Sequence, residues 1–351
     1  MTTQIYSNIN VRELENATVE ITGQIPEETL ARCRVEAVRH LSNTMHIDGF
    51  RQGHIPEHII RGKIGDMGIL EETAEIALQE AYPAIIHEHH IDAIGKPHIT
   101  LTKLAPGNPL EFKATTAVMP KISLPNYKAI AQKTLEKKED VVVEEKDVED
   151  AILQIRKAIS HAEQSKNTPQ QEKTDIPDEN LLPLDDAMVQ KIGAFKDVAD
   201  FTEKMRQNIH AEKTQQAKEK KRMEIIEAIV AQTPITLPQI LIDSELGNMF
   251  AQFAGDVERA DIKVEEYLKH INKTIEDLRK EWLPDAEKRS KTQLVLNTIA
   301  EKEHITVPEE ELSMATTEIM KRHKDAKEEN VREYVQTILI NNKVFDFLEK
   351  A

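Results

Sequence analysis

Phe50 and Arg51 stand in the stretch "IDGFRQGHIP" (47–56), between Gly49 and Gly53. The two glycines take positive φ at little cost, so the chain can turn sharply on either side and push outward what lies between them. A guanidinium offers a planar fork for a carboxylate or phosphate. The phenyl ring beside it costs on the order of 2 kcal/mol to hold in water relative to burial. Such a pair serves docking rather than catalysis. Either Phe50 folds back onto its own domain or another surface comes to cover it.

The other reactive side chains are poorly arranged for chemistry. His54 and His58 are one helical turn apart, and "HEHH" (87–90) is dense. That run lacks the His-Glu-x-x-His spacing that puts two imidazoles on one helix face, so these read as solvated histidines and no metal site is expected. Cys33 is the only cysteine, which leaves no intramolecular disulfide and no thiolate cluster. It lies on the apolar stripe of a helical segment and is expected in the core. "GKIGDMG" (62–68) spaces its glycines three apart but lacks the Lys-Ser/Thr pair of a phosphate loop. It is expected to break two helices. With no nucleophile elbow or dinucleotide fingerprint either, no catalytic residue and no cofactor are expected.

Composition narrows the setting. The chain has 351 residues, room for two or three domains, and a net charge of −16 that argues against a general nucleic-acid binder. Apolar residues make up 39%, aromatics only 4% and charged residues 31%, which suggests an open molecule with much solvated helix. The N-terminal stretch shows no secretory pattern, and no apolar run approaches the roughly 18 residues of a membrane helix. A reducing cytoplasm is the expected compartment, with no membrane partner and no free nucleic acid bound.

Eight of the eleven glycines fall before residue 108, so the first part should have the turns of a mixed fold and the rest should be long helices. "TVEIT" (18–22), "HITLTKL" (98–104) and "LEFKATTAV" (110–118) alternate as half-buried strands do. Leu30, Cys33, Ala37 and Leu41 recur at helical spacing after Pro26, and Leu70, Ala74, Ala77, Leu78 and Ala81 mark a second helix that Pro83 should bend or end. These make an α+β domain at 1–120. Residues 121–180 read as an extended, charge-dense linker containing one short amphipathic helix, "EDAILQIRKAI" (149–159), and residues 181–351 as a helical body.

The helical part repeats itself. "IIEAIVAQTPITLPQILI" (225–242) and "VLNTIAEKEHITVPEEEL" (295–312) align without gaps at an offset of 70 residues. Each has an apolar-periodic helix, a break, Ile-Thr-Leu/Val, and a Pro suited to a helix start. Two stiff corners in register predict two helical-hairpin arms on an elongated body.

These features together resemble trigger factor, the ribosome-associated bacterial chaperone. The family's Gly-Phe-Arg-x-Gly-x-x-Pro loop is matched by Gly49, Phe50, Arg51, Gly53 and Pro56, and the flanking "VEITGQIPEE" and "AVMPKISLPNY" follow the family order. The resemblance implies that Gly49, Phe50, Arg51, Gln52 and Gly53 form a ribosome-binding loop, docking on a tunnel-exit protein and nearby RNA. It implies that nascent or unfolded polypeptides are the clients, and a weak homodimer off the ribosome. Two departures stand out. Gln52 and His54 replace residues that are usually Lys, leaving Arg51 as the loop's fixed charge with Arg61 and Lys63 as neighbours, so docking should be weaker and more salt-sensitive. The prolyl isomerase domain expected between linker and body has no room and no aromatic wall here, so the enzymatic activity is expected to be absent.

Client contacts would come from Met249, Phe250, Phe253, Met314 and Met320, since flexible Met surfaces accept many sequences. Packing of the arms is the competing role for each. The functional expectation is an ATP-independent chaperone that binds the ribosome and shields emerging chains. The alternative is a helical scaffold or assembly adaptor, with residual isomerase activity disfavoured.

Overall fold

A computed structural model describes residues 5–137, 141–167, 181–322 and 326–350 of the chain. Its contacts divide it into two compact units, Met1–Ser123 with Thr233–Val295, and Leu124–Gln232 with Leu296–Ala351.

In the first unit, β1 (Ser7–Leu14), β2 (Thr18–Ile25), β3 (Ala93–Lys103) and β4 (Leu110–Val118) form an antiparallel sheet in the order β1-β2-β4-β3. The helices α1 (Glu27–Thr44) and α2 (Glu57–Glu88) pack on each other and on one face of it. Alternation drives the sheet side of this core: Val19, Ile21 and Ile25 of β2 meet Leu110, Phe112 and Ala114 of β4. The helix side is Leu30 and Cys33 from α1 with Ala74, Ala77, Leu78 and Ala81 from α2. Three alanines on one stripe let α2 lie close to the sheet.

Several expectations need correction. β1 is a strand beyond those the alternation predicts; it is a mostly exposed edge strand, joined to β2 by a tight turn through Asn16 and Ala17, both at positive φ. Pro83 does not end α2, which continues to Glu88. The break expected in "GKIGDMG" is present, with Gly65 at φ 76° and ψ 175° inside α2.

The segment 121–180 is not an extended linker over its described part. It carries α3 (Tyr127–Leu135) and α4 (Glu145–Asn167), the latter longer than the expected short helix, while residues 168–180 lie outside the described residues. Asn126 starts α3 by accepting the Ala129 amide on its side chain. Within the second unit α3 and α4 pack on the long helix α6 (Val198–Ala231), which follows the short α5 (Asp186–Ile192). Tyr127 donates its hydroxyl to Glu303 at 2.5 Å, and Lys128 pairs with the same carboxylate at 2.9 Å. Burial, then that bond, pushes the Tyr127 hydroxyl up to about 12, while the hydrogen bond from Tyr127 and the pair with Lys128 hold Glu303 below the usual carboxylate range.

The two repeated corners do stand between helices. One separates α6 from α7 (Gln239–Arg259); the other separates α9 (Ile275–Lys302) from α10 (Glu309–Arg322). Pro238 caps the start of α7 with φ −70° and ψ 143°. The packed pairs follow the corners. Ile242 and Leu246 of α7 close on Ala286 of α9, with α8 (Val264–His270) between them in the chain. Leu312 of α10 closes on Val331 and Val335 of α11 (Glu328–Leu348). This corrects the expectation that each repeated unit is itself a hairpin folded at its corner: the helix after each corner packs on a later helix instead.

Candidate functional site

The loop between α1 and α2 is two consecutive tight turns. The Phe50 amide donates to the Ile47 carbonyl at 3.1 Å, and the His54 amide donates to the Arg51 carbonyl at 3.0 Å. Gly49 (φ 86°) and Gly53 (φ 79°) occupy the third position of their turns, where a type II geometry demands positive φ. Nothing crowds a side chain at Gly49, so its conformation alone calls for glycine. At Gly53 a Cβ would also come within 2.8 Å of Asn43 Oδ1.

Ser42, near the end of α1, pins the second turn. Its carbonyl accepts the Gly53 amide at 2.7 Å and its hydroxyl accepts the Ile55 amide at 2.9 Å. Both Ser42 and Ile55 are buried, and Ile55 joins Ile60 and Ile69 in a small core of its own beneath the loop. No sequence signal marks Ser42, because a serine in the last turn of a helix has many harmless uses.

Phe50 does not join that small core. It remains 38% exposed, and Arg51, Gln52, Gly53 and His54 are exposed with it. Arg51 makes no ion pair with any described residue. Arg61 is not a free charge beside it: it pairs with Glu57 at 2.9 Å and with Asp66 at 3.0 Å. Glu57, which also receives Arg34 at 2.8 Å, is held below the usual carboxylate range, chiefly by the hydrogen bond from Arg34. The site therefore presents an apolar ring and one uncompensated guanidinium on a hydrogen-bonded, packed base.

The client-contact candidates separate. Phe253 is the hub of an aromatic cluster in the first arm, with ring centroids 6.2 Å from Phe250, 5.6 Å from Tyr267 and 5.6 Å from Trp282. Met249 packs against the arm's Ile242–Leu246–Ala286 core, and Met320 against the core of the second arm. Met314 is 68% exposed on α10. Four of the five thus contribute to packing, and Met314 presents its side chain to solvent.

Cys33 is buried, as expected, and burial pushes its thiol up. Among the described residues no group of His, Cys, Asp and Glu is placed to hold a metal ion. No described helix is long and apolar enough to cross a membrane.

Comparison with known proteins agrees along the chain. The family model described as "Bacterial trigger factor protein (TF)" matches residues 7–155, and that of the "Bacterial trigger factor protein (TF) C-terminus" matches residues 197–349. A trigger factor of Moorella thermoacetica is 23% identical, with 86% of this chain and 84% of the relative covered. One of Carboxydothermus hydrogenoformans is also 23% identical, covering 95% of this chain and 97% of the relative. That alignment runs over 415 positions, more than the chain's 351 residues, so part of the relative stands opposite gaps. A solved structure described in the words "Promiscuous Substrate Recognition in Folding and Assembly Activities of the Trigger Factor Chaperone" shares the fold. It superposes with a TM-score of 0.56 at 16% identity, covering 98% of this chain and 99% of that one. Matched at both ends by one family's models and over nearly its whole length by relatives and fold, the chain belongs to the trigger factor family, as a short form without a middle domain.

Proposed function

We propose that this chain is an ATP-independent chaperone that docks on the ribosome through the Phe50–Arg51 loop and shields emerging chains along its helical arms. The observation that carries the reading is an exposed Phe50 beside an unpaired Arg51, held on two glycine turns that Ser42 pins. A loop with no partner would gain by folding that ring onto Ile55 and its neighbours; here the ring stays outside. One guanidinium gives weak docking; because the salt slope scales with the number of phosphate contacts, the affinity should fall with salt along a shallow slope, which replaces the expectation of greater salt sensitivity. The arms would hold clients through weak apolar contacts, with Met314 the freest of them.

The reading includes the loss of prolyl isomerase activity. Only residues 156–196 lie between the two family matches, too few for a second globular domain of the family's kind. Turnover of a short proline peptide at the uncatalysed rate is the expected result.

Co-sedimentation with ribosomes at low and moderate salt tests the docking. The natural chain should pellet at low salt, and Phe50→Ala/Arg51→Ala should remain in solution while keeping its helical content. If both pellet equally, the loop is not the tether. If neither pellets, the chain acts off the ribosome, and suppression of aggregation of unrelated unfolded proteins then separates a general chaperone from an adaptor.

A further inference from the structure

The two helices of the α+β domain leave part of its sheet uncovered. β3 is an edge strand, and no described strand pairs with its outer side. Its register to β4 places Ile99 opposite Ala114 and Leu101 opposite Phe112, so Ile99 and Leu101 belong to the same face as that buried pair. Yet Leu101 is 38% exposed and Ile99 only half-buried. Beside them the α2 residues Leu78, Tyr82 and Pro83 form the opposite wall of a groove of about 740 Å³.

Three features of that groove point to one kind of occupant. First, His98–Leu101 is a regular stretch between two register shifts, the first of them at Gly95, Lys96 and Pro97, so an added strand would find about four residues to pair with. Second, the charged residues on the rim are Glu71, Glu75 and Lys96. Glu71 and Glu75 are exposed, one turn apart on α2, and neither makes a salt bridge with a described residue; Glu75 receives only the Gln79 amide at 3.5 Å. Third, the Tyr82 hydroxyl is buried in the groove wall with no hydrogen-bond partner among the described residues. A small rotation of the ring toward a seated carbonyl would supply one.

We infer that this groove binds a short extended peptide segment that adds to the outer edge of β3 and carries apolar residues followed by a Lys or Arg on the positions of its helix-side face, which sets the basic residue against Glu71 and Glu75. The apolar side chains on the helix side of the added strand would cover Leu101 and Ile99. The groove does not include the Phe50 loop, the Ile240 side chain of the first arm reaches β3 at Gly95 but does not line the groove, and the test contains no ribosome.

The test uses the full chain with methyl labels on Ile and Leu, and a fluorescein-tagged hexapeptide with leucine at its second and fourth positions, lysine at its sixth and threonine between them, so that leucines and lysine share one face. A counterpart peptide carries glutamate in place of lysine. The lysine peptide should bind about tenfold more tightly than the glutamate one, from two exposed charge pairs. It should shift the methyls of Ile99 and Leu101. Glu71→Gln/Glu75→Gln should bring the two peptides to within about threefold of each other, and Leu101→Ser, at an exposed position, should weaken both. Shifts confined to Ile242 and Leu246 would move the binding to the first arm and overturn the inference. So would unchanged affinity in Leu101→Ser. Concentration-dependent shifts at Ile99 and Leu101 without peptide, abolished by Leu101→Lys, would give the groove to a second copy of the chain instead.

Discussion

Ser42→Ala removes one atom from the base of the loop and should loosen the whole display. The hydroxyl accepts the Ile55 amide at 2.9 Å, and both residues are buried, so the substitution removes the acceptor of a buried amide. An unmet buried donor costs about 1–3 kcal/mol. The Ser42 carbonyl still accepts the Gly53 amide, and Ile55 keeps its contacts with Ile60 and Ile69, so the loss should stay local. Amide hydrogen exchange reads this directly: the Ile55 amide should exchange roughly tenfold to a hundredfold faster, since about 1.4 kcal/mol is a factor of ten. The Ala74 and Ala77 amides in α2 should not change. Ser42→Thr, which keeps the acceptor, should recover most of the protection. If Ile55 exchanges at the natural rate in Ser42→Ala, the hydroxyl does not hold the loop and the pinning argument fails. If α1 and α2 lose protection together, Ser42 supports the domain rather than the display.

Two further tests address the helical part. Tyr127→Phe should speed amide exchange in α3 by roughly tenfold, because a hydrogen bond to a charged carboxylate contributes about 1.5–3 kcal/mol and Lys128 compensates in part. The pH dependence follows from the signs. Tyr127, raised to about 12, stabilises fully below its unfolded value near 10 and loses that contribution as pH rises toward 12. Glu303, lowered, stabilises above its unfolded value near 4.3 and loses the contribution as pH falls through its folded value. In Tyr127→Phe the alkaline loss between about 10 and 12 should shrink; an identical alkaline profile would refute the assignment. In the first arm, Phe253→Ala should cost about 2–4 kcal/mol and flatten the near-UV signal of Trp282, whose ring it faces. Met314→Ala should leave thermal stability within about 0.5 kcal/mol while weakening aggregation suppression, and unchanged suppression would remove Met314 from the client surface.

Local rules made much of this chain readable. Gly49 and Gly53 announce two turns because positive φ is a property of the residue itself, and the exposed ring between them follows. The stripe Leu30–Cys33–Ala37 and the alternation in β2 and β4 record which faces are buried, since burial repeats with the period of the element. The Ile-Thr-Leu and Ile-Thr-Val runs before Pro238 and Pro308 mark corners, because the residue before proline is driven out of the helical region.

What the sequence left open depends on residues distant in the chain. Helices end at His90, Asp261, Asn272 and His304 in a left-handed conformation without glycine, so the glycine spacing alone missed those ends. The run that looks extended after residue 121 becomes α3 and α4 because α6 offers them a surface, and Tyr127 finds Glu303 176 residues away. Phe253 could be given a packing role from the sequence, but not its neighbours: Tyr267 and Trp282 surround it only in the folded chain. Periodicity reports that a face is covered; only the folded chain decides what covers it, because that partner is chosen by packing and hydrogen bonding across the whole structure.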